Sequence, residues 1–177
     1  MSEAGYTVKL ANYASQLKFE DLPPEVIAMD KLMILNTIGC ALRGHAFGLG
    51  KVILDVFKQL GGREEATIVG EGAKTSCANA ASVNGAFAYS FNGDDSYYEG
   101  CFHPGHAVIP SAMAMAEREE ATGKDLLTSV TAGFEVSCRV AASLCQNPDK
   151  HRILLGWKGN TLDIFGASVA AGKVLGM

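Results

Sequence analysis

The chain has 177 residues, and its 15 Lys plus Arg against 19 Asp plus Glu give a net charge of −4, which excludes nucleic-acid binding through bulk positive charge. With 48% hydrophobic and 19% charged residues, it holds enough apolar surface for one ordinary core and too little charge for a disordered chain. It has no run of eighteen apolar residues, and Met1-Ser2-Glu3-Ala4-Gly5-Tyr6 lacks a basic and then apolar stretch, so neither a membrane span nor a signal peptide is expected.

Helical periodicity runs almost throughout. A first helix is expected from Val8 to Leu17, with Asp21-Leu22-Pro23-Pro24 as stop and restart, because Pro is tolerated in a helix's first turn. The second runs from Pro24 to Leu42, with Ile27, Ile34, Leu35, Ile38, Ala41 and Leu42 on one stripe. The third covers Leu49 to Leu60 and stops at Gly61-Gly62. Ala66-Thr67-Ile68-Val69 has β character but no visible partner, so it reads as an extended linker. A fourth helix, Ser76 to Ser90, is rich in Ala, Gly and Ser and should be central; Asn84 on its apolar face reads as a satisfied buried amide. After a polar loop over 91–107 come helices from Val108 to Thr122 and from Lys124 to Cys145. A second irregular stretch, 146–160, precedes a last, nearly uncharged helix from Thr161 to Leu175, which requires a covering surface. The pattern is that of a single all-α, bundle-like domain over 1–177.

The 91–107 loop carries Asp94, Asp95, Ser96, His103 and His106 within thirteen residues. Long polar loops between apolar helices tend to be functional. Carboxylates beside imidazoles suit acid–base chemistry near neutral pH, while a bland alternative is a solvated loop with Asp94 or Ser96 capping a turn. No known metal-ligand spacing is present, so no metal and no cofactor are expected. Tyr97 and Tyr98 either line a pocket or pack at the loop's base. Lys158 is either a surface lysine or a holder of a substrate carboxylate. Five cysteines, an odd number without a Cys-x-x-Cys pair, indicate a reducing, cytoplasmic setting.

Taken in order, several stretches resemble the N-terminal part of the MmgE/PrpD family. They are Asp21-Leu22-Pro23-Pro24-Glu25-Val26, Leu35-Asn36-Thr37-Ile38-Gly39, Asn79 to Ala86, Asn92-Gly93-Asp94-Asp95-Ser96 with His103-Pro104-Gly105, and Gly156-Trp157-Lys158 with Phe165-Gly166-Ala167. The resemblance implies a helical domain whose companion small α+β domain has no counterpart in this chain. It implies a lyase or isomerase that moves a proton next to a carboxylate of a small organic acid, by dehydration, decarboxylation or epimerisation. The catalytic residues it implies are His103, Lys158 and Asp95; Ser96, His106, Asp94, Asn92 and Tyr97 would bind substrate. Two departures accompany it: Asn92 stands where the family often has aspartate, and Lys158 where it usually has histidine. The implied partners are a small carboxylic-acid substrate and either a second copy or a second MmgE/PrpD-like chain. Two alternatives stand beside a split enzyme: a self-contained homo-oligomer with a divergent isomerase or cyclase reaction, and a non-catalytic scaffold subunit.

Overall fold

The computed structural model describes residues 5–145 and 159–177. In chain order these form α1 (Tyr6–Gln16), α2 (Pro24–His45), α3 (Gly48–Leu60), β1 (Ala66–Thr67), β2 (Lys74–Thr75), α4 (Cys77–Ser90), α5 (Gly105–Arg118), α6 (Gly123–Cys145) and α7 (Gly159–Val174), with 3-10 turns at Phe19–Asp21 and Tyr98–Gly100. The fold is all-α, as the periodicity predicts. Among the described residues, no helix is long and apolar enough to cross a membrane.

Helix α4 is the hub. Its Ala80, Val83, Phe87 and Ala88 are buried, and Val83, Phe87 and Ala88 meet Cys40 and Ala41 of α2 and Leu54 of α3. Complete burial of a side chain such as Val83 or Phe87 stabilises by about 1.5–3 kcal/mol. A second cluster joins Val108, Ile109 and Ala112 of α5 to Val130 of α6 and Ala170 of α7. Helices α6 and α7 approach closely because glycine faces glycine: a Cβ on Gly133 would stand 2.9 Å from the Gly166 carbonyl oxygen. Helix α7 is therefore covered in part by its own chain, with Leu162 and Ala170 fully buried while Ile164 stays 57% exposed.

Three boundaries depart from the sequence expectation. Ala66-Thr67 is not a linker: it pairs antiparallel with Lys74-Thr75. That partner has no β signature of its own, and the hairpin is held from outside. Glu117 of α5 accepts from the Thr67 amide and hydroxyl, each at 2.7 Å, and from Lys74 Nζ at 2.7 Å. Asn84 is the satisfied amide expected, bonded to Val69 N and Thr67 O at 2.9 Å each. Thr122 does not end α5. It starts α6 in a reciprocal cap with Asp125, which accepts from the Thr122 amide while the Asp125 amide donates to Thr122 Oγ1. Finally, α5 begins at Gly105 rather than near Val108, which places Pro110 inside the helix.

Candidate active site

The loop between α4 and α5 is folded back on itself. Asn92 turns the chain in the left-handed region (φ 54), which Asn tolerates better than most residues. Tyr97 and Phe102 then exchange backbone hydrogen bonds of 2.9 and 3.4 Å across the 3-10 turn. Phe102, buried against Ala141 and Leu162, anchors that bend. Asp94, Asp95 and Ser96 are thereby laid beside His103 and the start of α5. Asp95 Oδ1 accepts the Gly105 amide at 2.9 Å. A Cβ at position 105 would collide with that same oxygen, so the approach requires glycine. Burial lifts the Asp95 carboxyl to about 6, with the Gly105 amide pulling the other way and the neighbouring Asp94 adding to the rise.

His103 is held at one nitrogen. Its Nδ1 lies 2.6 Å from the Asp95 carbonyl oxygen, 3.2 Å from Ser96 Oγ and 3.6 Å from Asp94 Oδ1. A carbonyl only accepts, so Nδ1 carries the hydrogen and the lone pair of the neutral ring falls on Nε2. The His103 side chain is 41% exposed, so solvent and ligands reach this ring.

His106 is held at both nitrogens. Nδ1 is 3.1 Å from Asp94 Oδ2 and Nε2 is 3.1 Å from Asp163 Oδ2. Burial opposes its charge, but the hydrogen bonds and charges of the two carboxylates prevail and hold the imidazolium up to about 9. The Tyr89 ring of α4 lies 4.8 Å from the His106 ring. Asp163 Oδ1 is buried with no hydrogen-bond partner among the described residues.

The structure thus brings Asp94, Asp95, Ser96, His103 and His106 together. It leaves His106 no ring nitrogen for a substrate carboxylate, which was its expected duty. Asn92 is exposed at the turn, with no described contact to His103, and the Tyr97 ring packs edge-on against Phe102 at 6.2 Å. Lys158, with Trp157 and His151, lies outside the described residues. A cavity of about 260 Å³ adjoins the loop; Asp95, Ser96 and Tyr97 line it together with Asp30, Glu135 and apolar residues of α2 and α6. Its charged groups are all acidic. Among the described residues no cluster of three or more His, Cys, Asp or Glu is arranged to hold a metal ion. The sequence reading missed Asp163 as a site residue, although a lone carboxylate in a nearly uncharged helix is a usable signal, because such a group is buried only when paired.

Comparison with known proteins adds a family and relatives. The profile of the MmgE/PrpD N-terminal domain matches residues 8–177. The cis-aconitate decarboxylase of Aspergillus terreus is 26% identical over 99% of this chain and 36% of its own length. The human cis-aconitate decarboxylase is 27% identical over 97% of this chain and 36% of its own. A cis-aconitate decarboxylase-like protein of Aspergillus oryzae is 25% identical over 99% and 37%. The chain therefore spans little more than a third of the length of these curated relatives.

Proposed function

Since the chain belongs to the MmgE/PrpD family, we propose that it carries the proton-transfer group of a lyase or isomerase acting next to a carboxylate of a small organic acid. The observation that carries this is the tautomer of His103: Nδ1 is fixed by the Asp95 carbonyl, which leaves Nε2 on an accessible ring to take or return a proton. Asp94 Oδ1, 3.6 Å from Nδ1, stabilises the imidazolium formed when Nε2 takes the proton. Ser96 Oγ, at 3.2 Å, steadies the ring. Asp95 acts through its carbonyl and its hold on Gly105, as a positioning group rather than a proton carrier. Because the named relatives are cis-aconitate decarboxylases, a small unsaturated tricarboxylate is the first substrate to try, with loss of carbon dioxide as the first reaction.

A carboxylate substrate needs cations, and the cavity beside the loop offers acids instead. We assign that duty to Lys158 and to groups from the rest of the assembly, either a second copy or a second MmgE/PrpD-like polypeptide. Exposed apolar side chains such as Leu32 and Leu35 of α2 and Val52 and Val56 of α3 support an assembly larger than one copy of these helices. Cys40, Cys77 and Cys138 are free thiols, which supports a reducing compartment such as the cytoplasm.

The test is His103→Ala in the chain isolated with any protein that accompanies it, assayed on cis-aconitate and related di- and tricarboxylates. Turnover should fall at least about a hundredfold, the scale of a lost acid–base group, with helix content and native mass unchanged. Full activity in that variant would remove His103 from the chemistry. Full activity after loss of both His103 and Lys158 would favour the second reading, a scaffold subunit, which the acidic cavity supports.

A further inference from the structure

We propose that Asp163 and His106 are positioning residues for His103, linked to it through Asp94 by a chain of carboxylate–imidazole contacts that carries the seating of α7 to the loop; this rests on the assignment of proton transfer to His103. The chain is continuous: Asp163 Oδ2 to His106 Nε2 at 3.1 Å, His106 Nδ1 to Asp94 Oδ2 at 3.1 Å, and Asp94 Oδ1 to His103 Nδ1 at 3.6 Å. It spans α7, α5 and the loop. Asp94 uses one oxygen on each histidine, and its side chain is only 2% exposed. Its direction is therefore set by where the His106 ring stands, and that ring is fixed at its far nitrogen by Asp163.

Two further observations support positioning over mere attachment. Helix α7 is also seated by apolar contacts through Leu162 and Ala170, so its place does not rest on the ion pair alone. Among the described residues Asp163 Oδ1 is buried without a hydrogen-bond partner and His106 is the group that engages Oδ2, so removing either group strands the other. Among the described residues, the other titratable groups near the His106 ring are Asp95 on the loop and Tyr89 on α4. Lys173, the other charge on α7, is engaged with the Ser15 carbonyl oxygen. Residue 158 directly precedes α7 in the chain, so the helix that fixes Asp94 also follows straight on from the second candidate catalytic stretch.

The experiment compares wild type, Asp163→Asn, Asp163→Glu and His103→Ala, with kinetics on cis-aconitate and related acids and with ring resonances of ¹⁵N-histidine. In wild type at pH 8 the His106 ring should show both nitrogens protonated, and in Asp163→Asn it should become neutral. For Asp163→Asn, kcat should drop tenfold or more while KM stays within threefold, with Asp163→Glu regaining part of the loss. A neutral His106 ring in wild type at pH 8 would overturn the chain of contacts whatever the substrate. Inactive His103→Ala alongside unchanged kcat in Asp163→Asn would overturn the positioning role alone. Fully active His103→Ala would instead show that the proton-transfer assignment has failed, and the positioning role would fall with it.

Discussion

Asp30 sits 6% exposed on α2 and takes a 2.6 Å hydrogen bond from Thr131 Oγ1. Burial lifts its carboxyl to about 6, and the Thr131 bond only partly offsets this. A group raised in the fold adds stability below its unfolded value of 3.8 and loses it as pH climbs through about 6. Above that pH, Asp30→Asn should stabilise the chain by about 1–2 kcal/mol, less than the full shift implies because a cavity opens beside the group. At pH 3, below the unfolded value, it should do nothing. Melting curves at both values decide it, and destabilisation at pH 8 would mean that Asp30 has an ionic partner. Adjacent residues can also differ in duty. Asp94 aims its carboxylate at two histidines, whereas Asp95 caps α5 and offers His103 its carbonyl. The sequence shows that both belong to a polar loop with His103 and His106, because they are near neighbours. It does not show the division of labour, which depends on backbone direction. Nor does it pair His106 with Asp163, which lies 57 residues away and is joined to it only by the packing of α7.

Among the elements, the α6–α7 crossing is the tightest test of packing. Gly133→Ala would bring a Cβ to 2.8 Å from Val108 Cγ1 and 2.9 Å from the Gly166 carbonyl oxygen. Overpacking costs roughly 1–3 kcal/mol, against a helix-propensity gain of about 1 kcal/mol, so a net loss of up to about 2 kcal/mol is expected. A Cβ on Gly39 of α2 would meet no other described segment within 4 Å, and Gly39→Ala should stabilise by up to about 1 kcal/mol. Thermal midpoints of the two variants should move in opposite directions; a stabilised Gly133→Ala would mean that the helices stand further apart. The helices themselves are readable from period and punctuation, down to the Gly61 stop. The start of α5 is not, because His103-Pro104-Gly105 resembles loop while Asp95 captures the Gly105 amide. Nor is the hairpin, because two-residue strands carry almost no periodic signal.

For the whole molecule, the raised groups act in one direction with pH. Asp30 and Asp95 lose their contribution as pH rises through about 6. His106 contributes fully below 6.5 and loses its share as pH rises through about 9. Glu71, Glu117 and Asp125, held below their usual range by hydrogen-bonded partners, contribute above their unfolded values and lose that share under acid. The melting temperature should therefore peak in mildly acidic solution and decline toward pH 9.5. A midpoint that rises steadily from pH 6 to 9.5 would contradict the charge state assigned to His106. The all-α class follows from periodicity over most of the chain, whereas the extent of apolar surface left open on α2 and α3 emerges only once the helices are packed. The pairing of His106 with Asp163 also has a meaning in time. During synthesis the loop and α5 emerge well before Asp163, so Asp94 and His106 wait half-compensated until α7 arrives. A site closed by a contact across so much chain must first pay for bringing distant segments together, and a nascent chain stalled before α7 carries all the loop residues of the site without their final geometry.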